Sequence, residues 1–95
     1  MNAYLVEAKR TAIGRSHPDK GLFRDVRADE MLAALMSGML EEMPTGAELT
    51  SAIDDIYIGC VGQHLEQGKN IARLSALLAG LPDSIPGVTI NRLCA

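Results

Sequence analysis

The 95-residue sequence predicts an α/β fold in which strands and helices alternate as β-α-β-α-β around a mainly parallel sheet. Two observations carry this prediction. Residues 55–61 are a short run of β-forming residues with little polar alternation, which is typical of a strand covered on both faces, and residues 88–93 form a further strand-like run. Between and before them, apolar residues recur at the three- and four-residue steps of a helix.

The first strand is predicted near the start of the chain. Tyr4-Leu5-Val6 with Ala8 forms a short β-like run. The polar, basic stretch that follows, residues 9–27, contains glycines and a proline that mark a loop.

The first helix is predicted to start at Ala28. Asp25 or Asp29 would favour its start, because acidic side chains are stabilised at the positive end of a helix dipole. Residues 44–46, Pro-Thr-Gly, end it, and residues 47–54 add a further helical turn. Its apolar face consists of Met31, Leu32, Leu35, Met39, Leu40 and Met43.

The second helix is predicted between the second and third strands. Residues 62–69 form a loop, Asn70 is placed to cap the helix and Gly80 to end it. The side chains expected to pack inward are Ile71, Leu74, Leu77, Leu78 and Leu81.

Composition limits the function classes. Ninety-five residues make one small domain, and 47% hydrophobic with 22% charged residues is ordinary for a soluble globular protein. A net charge of −3 argues against a general nucleic-acid surface. No apolar run is long enough to cross a bilayer and the start lacks the order of a signal peptide, so we expect a cytoplasmic protein with free thiols.

Cys94 directly follows the predicted third strand. In open α/β sheets, ligand-binding and active sites lie beyond the carboxyl ends of the strands. A helix that begins after such a cysteine would lower the pKa of its thiol through free N–H groups and the helix dipole, which makes a nucleophile. From the residues alone, a buried small hydrophobic role for this cysteine is the stronger interpretation.

Other candidate residues favour structural roles. Cys60 lies inside an apolar run, and no function is assigned to His64. A metal site that joins Cys60, His64 and Cys94 is a weak hypothesis, because their spacing fits no common zinc pattern. We therefore predict no metal.

Three separated motifs resemble the thiolase family. They are RTAIGRS at residues 10–16, LEQGKNIAR at 65–73 and TINRLCA at 89–95. They cover nearly the whole chain in the family's order, and they are most similar to degradative 3-ketoacyl-CoA thiolases such as the β-subunit of the bacterial fatty-acid oxidation complex. Since family members are several times longer, the resemblance implies that residues 1–95 are an incomplete N-terminal part of the thiolase N-terminal domain, which stops just after the nucleophile.

The resemblance also implies an activity. Cys94 would be the nucleophile that carries the acyl group as a thioester while a 3-ketoacyl-CoA is cleaved to acetyl-CoA in fatty-acid β-oxidation. Acyl-CoA and CoA would bind as substrates, without a tightly bound cofactor, and the residues that contact CoA stay unknown. The expected partners are the remaining C-terminal part of the thiolase, a second copy in a homodimer or higher oligomer, and an α-subunit of a fatty-acid oxidation complex; no nucleic acid is expected.

Two alternatives stay open at this point. One is a biosynthetic acetyl-CoA acetyltransferase, also called acetoacetyl-CoA thiolase. The other is a structural fragment without activity of its own.

The loop at residues 9–27 carries six of the nine basic residues. A solvated loop is the stronger interpretation, and contacts with CoA phosphates or with a partner subunit are the alternatives. The six residues are Lys9, Arg10, Arg15, Lys20, Arg24 and Arg27.

Overall fold

The fold of the described residues consists of a two-stranded parallel sheet with helices before its first strand and between its two strands. The computed structural model describes residues 1–44 and 46–93, with only the backbone at 46 and 47. Strand β1 pairs with β2 in parallel, with Ile56 opposite Gly87 and Gly59 opposite Ile90. The predicted α/β class and the parallel pairing are confirmed. In order, the elements are α1 (Ala28–Glu42), α2 (Gly46–Thr50), β1 (Ile56–Gly59), a 3-10 helix (Leu65–Gln67), α3 (Ile71–Leu78) and β2 (Gly87–Ile90).

The predicted first strand is not formed, so the β-α-β-α-β order is wrong at its first element. Residues 4–8 belong to no strand in the described chain. Tyr4, Leu5 and Val6 are 80%, 89% and 72% exposed. A strand exists only when its backbone pairs with a neighbour, and β-forming side chains cannot replace that ladder.

Helix α1 begins where the sequence predicts, and Asp29, not Asp25, lies in its first turn. Arg27 donates from Nε and Nη2 to the two Asp29 carboxylate oxygens, both at 3.1 Å. The hydrogen bond from Arg27, with a further one from the Glu30 N–H, holds the pKa of Asp29 below its ordinary value. The same pairing raises the pKa of Arg27. A carboxylate is thus fixed at the positive end of the helix dipole.

Helix α1 packs mainly against α3. Part of the predicted apolar face of α1 lies beside β1. Together with residues of β1 it lines an apolar groove of about 250 Å³. The helix ends at Glu42, just before Pro44, and Thr45 lies outside the described residues. The lining side chains are Leu32, Leu35, Met36, Met39, Leu40, Ile53, Ile56 and Ile58.

Helix α3 buries a different face from the predicted one. Ile71 is 4% exposed, but Leu74, Leu77 and Leu78 are 39%, 45% and 58% exposed. The buried face consists mainly of the small residues Ala72, Ser75 and Ala76.

Close backbone approach explains this choice of face. A Cβ added to Gly87 at the start of β2 would lie 3.1 Å from the carbonyl carbon of Ala72 and 3.3 Å from its Cβ. Leucine side chains would hold the helix further from the strand than this contact allows. The small residues therefore face inward and the leucines remain outside.

The predicted ends of α3 are confirmed. The Asn70 side chain accepts a hydrogen bond from the N–H of Arg73 and caps the first turn. Gly80 follows the last turn with φ of +79°, a left-handed conformation that glycine adopts without strain. Within the described residues, no helix combines the length and apolarity needed to span a bilayer.

Candidate active site

The carboxyl ends of β1 and β2 meet at one edge of the sheet, because the two strands are parallel. The N–H of Cys60, just after β1, donates to the carbonyl of Ile90, the last residue of β2, at 2.9 Å. This bond extends the pairing by one step beyond Gly59. Residues 60–62 and 91–93 are thereby placed side by side at the edge where the sequence predicts chemistry.

Asn91 fixes the backbone that leads toward the predicted nucleophile. Its Nδ2 donates to the carbonyl of Val61 at 3.0 Å, which ties the end of β2 to the end of β1. Its Oδ1 accepts from the N–H of Leu93 at 2.9 Å, which closes a local turn. Leu93 has φ of +51°, a left-handed conformation that costs a leucine about 1 kcal/mol. Cys94, the predicted nucleophile, lies outside the described residues, as does Ala95.

Cys60 has the environment of a structural cysteine, as the sequence favours. It is 8% exposed, and its Sγ lies 3.3 Å from Oε1 of Gln67. Gln67 belongs to the 3-10 helix, so this contact holds the loop after β1 against the strand end. The amide oxygen accepts a hydrogen bond from the S–H group, and a buried thiol held in this way packs as a small structural side chain.

The loop after β1 carries further backbone strain. Leu65 and Lys69 have φ of +51° and +57°. Together with Leu93 they are the positive-φ residues other than glycine in the described ranges 1–44 and 46–93. Leu93 directly follows the β2 end, whereas Leu65 and Lys69 lie in the segment between β1 and α3. Strained backbone of this kind is typical of functional sites. His64 in the same loop is exposed.

No group of three histidine, cysteine, aspartate or glutamate residues with metal-binding geometry occurs in the described part of the chain. The weak metal hypothesis that joins Cys60, His64 and Cys94 involves a residue outside that part.

A polar network joins the start of α3 to the first residues of β2 and to the turn before them. Asn70 donates from Nδ2 to the carbonyl of Gly87 at 2.8 Å and accepts from the Thr89 hydroxyl at 2.8 Å. The same hydroxyl oxygen accepts from the N–H of Ala72 at 3.2 Å. Arg73 donates to the carbonyls of Ile85 and Asp83 at 2.6 and 2.8 Å and so holds the turn before β2.

Glu66 links the same loop to α1. Its Oε1 accepts from the N–H of Ala28, the first residue of α1, at 2.7 Å. A carboxylate from the loop therefore satisfies one of the free N–H groups at the helix start.

Sequence reasoning recognised the two motifs around this edge but missed what most of their residues do. Only the cap at Asn70 had a local signal, an asparagine just before an apolar helix. Partners such as Val61 for Asn91, or Ala28 for Glu66, are 30 and 38 positions away, and no local pattern indicates them.

Comparison with known proteins agrees with the motif resemblance. Residues 3–95 match the family described as the thiolase N-terminal domain. The chain is 52% identical over 93 residues to a 3-ketoacyl-CoA thiolase of Pseudoalteromonas translucida, an alignment that covers 98% of this chain and 23% of the relative. It is 56% identical over 90 residues to a 3-ketoacyl-CoA thiolase of Citrobacter koseri, which covers 95% of this chain and 22% of the relative. The chain thus spans less than a quarter of the length of these curated relatives.

Solved structures show the same likeness. A crystal structure of the acetyl-CoA acetyltransferase of Bacillus anthracis superposes with a TM-score of 0.64 at 28% identity, over 78% of this chain and 18% of that one. The dimeric peroxisomal thiolase of Saccharomyces cerevisiae gives a TM-score of 0.61 at 29% identity, over 80% of this chain and 19% of that one. With the family match over residues 3–95, these likenesses show that the chain belongs to the thiolase family and is a fragment that matches its N-terminal domain.

Proposed function

We propose that residues 1–95 form the N-terminal part of a 3-ketoacyl-CoA thiolase, an acyltransferase of fatty-acid β-oxidation. The observation that carries this proposal is the identity of 52–56% to 3-ketoacyl-CoA thiolases across 95–98% of the chain. Because these relatives extend far beyond the aligned segment, the activity is proposed for a protein that also contains the remaining part of a thiolase.

In the proposed reaction, Cys94 is the nucleophile. Its thiolate attacks the 3-keto carbon of a 3-ketoacyl-CoA, and the bond between C2 and C3 breaks. The electron pair of that bond passes to C2, which is protonated and leaves as acetyl-CoA. The shortened acyl group stays on Cys94 as a thioester until the thiol of a second CoA attacks it, which releases the new acyl-CoA and the free cysteine.

The arrangement of the neighbouring residues supports this role. A nucleophile must be held within a few tenths of an ångström of its productive position. Asn91 ties the backbone before Cys94 to the end of β1, and the left-handed Leu93 completes a tight turn there. We assign Asn91 as a positioning residue for Cys94.

A chimera tests the nucleophile. Residues 1–95 would replace the matching segment of the Citrobacter koseri thiolase, to which they are 56% identical. The chimera should catalyse thiolysis, and Cys94→Ser should lower kcat by about 10⁶-fold, since removal of the nucleophile of a serine protease costs about this much. Intact mass after mixing with a 3-ketoacyl-CoA, without free CoA, should show an acyl adduct that Cys94→Ser lacks.

The matched control is Cys60→Ser. Cys60 is buried and its Sγ contacts Gln67, a contact that a serine hydroxyl can also make. This variant should keep both the adduct and most of the activity. An adduct on Cys60, or full thiolysis in Cys94→Ser, would show that the nucleophile is assigned wrongly.

A biosynthetic acetyl-CoA acetyltransferase is the second candidate, favoured by the similarity to the Bacillus anthracis acetyltransferase. To distinguish this enzyme from a degradative thiolase, kcat/KM would be measured on the natural protein that contains this segment. Acetoacetyl-CoA would be compared with longer 3-ketoacyl-CoA substrates. A folded chimera with neither adduct nor thiolysis would instead favour a structural segment.

The proposal includes the setting of the enzyme. We infer a homodimer or higher oligomer in the cytoplasm, in which CoA is a substrate and no cofactor is tightly bound. The likeness to a dimeric thiolase supports the pairing. An α-subunit of a fatty-acid oxidation complex is a further proposed partner, which co-purification with the complete protein would test.

A further inference from the structure

The loop between residues 14 and 24 surrounds an open cavity, and none of its residues has a role in the thiolysis steps proposed above. Its volume is about 590 Å³, and the residues that line it include Arg15, Ser16, His17 and Arg24. No carboxylate is among the described residues that line it. We propose that this cavity binds a phosphate-bearing anion.

The distribution of charge favours such a ligand. Residues 9–27 contain six basic and two acidic residues, a net charge of +4, in a chain whose total charge is −3. Positive potential is therefore concentrated on this loop. A concave surface lined by one sign of charge raises the local concentration of the opposite ion.

The loop has a defined backbone conformation. The N–H of Gly21 donates to the carbonyl of His17 at 3.0 Å, and Arg24 Nη1 donates to the carbonyl of Gly21 at 3.1 Å. A Cβ at Gly21 would lie 2.6 Å from the carbonyl oxygens of both Arg15 and His17. Only glycine fits there, so the turn holds the cavity residues in one arrangement before a ligand arrives. A preorganised site loses less conformational entropy on binding.

His17 presents a donor. Its Nδ1 accepts from the backbone N–H groups of Asp19 and Lys20, at 3.1 and 3.0 Å. A nitrogen that accepts two hydrogen bonds carries no proton, so the neutral ring is the tautomer with hydrogen at Nε2. That N–H has no protein partner in the part of the chain that the structure describes, and it remains available to an anion.

The two arginines supply the charge. Arg15 forms no side-chain hydrogen bond or ion pair within residues 1–44 and 46–93. Arg24 uses one Nη for Gly21, and its Nε lies 3.6 Å from Oδ2 of Asp25, a long pair that is 46% and 85% exposed. Water screens such a pair strongly, and a phosphate that accepts two parallel N–H bonds from a guanidinium competes well with it.

Calorimetric titration of the 95-residue chain with inorganic pyrophosphate tests the site. Arg15→Gln should weaken binding by about tenfold, since one charge-assisted hydrogen-bond donor group is removed. Lys20→Gln is the matched control, because it removes the same charge from the same loop at a residue that does not line the cavity. It should weaken binding by less than about twofold. Equal effects of the two substitutions, or no binding at about 10 mM pyrophosphate, would overturn the proposal.

A second titration identifies the source of the phosphate. Phe23 lines the same cavity and packs against Gly14, where an added Cβ would lie 2.6 Å from its ring. An aromatic ring can stack on a nucleobase. Adenosine 3′,5′-bisphosphate should bind more tightly than pyrophosphate if the ligand is a nucleotide, and equally if it is free phosphate. Both results support the phosphate site. Because no thiolysis is measured, failure of this test would leave the assignment of Cys94 unaffected.

Discussion

At the scale of single residues, two asparagines of the family motifs, Asn70 and Asn91, hydrogen-bond to segments that are distant in the chain. Asn70 combines a helix cap, a donor to Gly87 and an acceptor for Thr89 in one side chain. Asn91 links the carboxyl ends of the two strands through its hydrogen bond to the carbonyl of Val61. Asn70 fixes the start of β2 against α3, whereas Asn91 holds the carboxyl edge of the sheet, which Cys94 follows in the chain.

Replacing Asn70 should destabilise the fold. Asn70→Ala removes the cap and leaves the Gly87 carbonyl without its partner, at an expected cost of about 2 kcal/mol in the free energy of unfolding. Urea titration measures this cost. Asn70→Asp keeps the accepting oxygen, so its free energy of unfolding should lie between those of Asn70→Ala and the original chain. Asn2→Ala, at an exposed site, should change the free energy of unfolding by less than about 0.5 kcal/mol. If Asn70→Ala matches Asn2→Ala, the network does not contribute as described.

Asp29 should give the chain part of its acid sensitivity. Its pKa is held below the ordinary value of 3.8, first by the hydrogen bond from Arg27. A carboxyl whose pKa is lower in the folded state contributes stability that is complete above its unfolded pKa and is lost as the pH falls through the folded pKa. Urea midpoints measured from about pH 5 to about pH 2 should therefore fall less steeply in Asp29→Asn than in the original chain.

The control for this titration is Asp54→Asn. Asp54 is exposed and forms no side-chain hydrogen bond or ion pair within the described residues. The urea midpoints of Asp54→Asn should therefore change with pH as those of the original chain do. A profile of Asp29→Asn that also follows the original would argue against a stabilising Arg27–Asp29 pair.

At the scale of elements, helix α3 shows how packing distance selects a face. Leucines at positions 74, 77, 78 and 81 present the stronger hydrophobic pattern, yet the helix turns Ala72 and Ala76 inward. Gly87 lets the strand approach the helix backbone closely, and only small side chains fit between them. The exposed leucines are then a surface that the described chain leaves uncovered.

Two substitutions separate the observed face from the predicted one. Ala76 is 1% exposed, and Ala76→Leu should cost about 2 kcal/mol through overpacking. Leu77 is 45% exposed, and Leu77→Ala should cost less than about 1 kcal/mol. Thermal or urea unfolding would measure both. The opposite order, with Leu77→Ala the more costly, would mean that the leucine face is buried after all.

At the scale of the whole molecule, the chain exposes more surface than its size requires. Its accessible surface is 7213 Å². A compact monomer of 10.2 kDa would expose about 5,300 Å². The excess includes the leucines of α3, Val88 and Ile90 of β2, and the apolar residues near the N-terminus. Exposed apolar area of this extent favours association.

We expect the chain alone to associate as its concentration rises. Sedimentation equilibrium should give an average mass above 10.2 kDa that increases with concentration. The double substitution Leu77→Gln with Leu78→Gln should reduce this association, because it makes the exposed face of α3 polar. Ala52→Gln with Ser84→Gln, at exposed positions outside α3, serves as the control, because it also introduces two glutamines without changing the charge. A species that stays at monomer mass throughout would contradict the expectation.

The sequence by itself determined the elements that depend on local patterns. The apolar period of α1, the cap at Asn70 and the glycine after α3 each lie within a few residues of what they control, and each is found where predicted. The run at residues 55–61 likewise indicated a strand, although it was the pairing with β2 that made it one. The thiolase motifs determined the family, since they are contiguous strings of residues.

Only the tertiary structure decided which surfaces meet. Tyr4 to Val6 has strand-forming residues but no partner strand in the described chain, and strand formation depends on that pairing. The inward face of α3 depends on the approach of Gly87, 15 positions from Ala72, and the hydrogen bond between Asn91 and Val61 spans 30 positions. A local sequence pattern reflects the secondary structure that each residue favours. Distances between segments far apart in the chain are set by how the whole chain packs. Of these contacts, the hydrogen bond between Asn91 and Val61 holds the edge of the sheet that leads to Cys94.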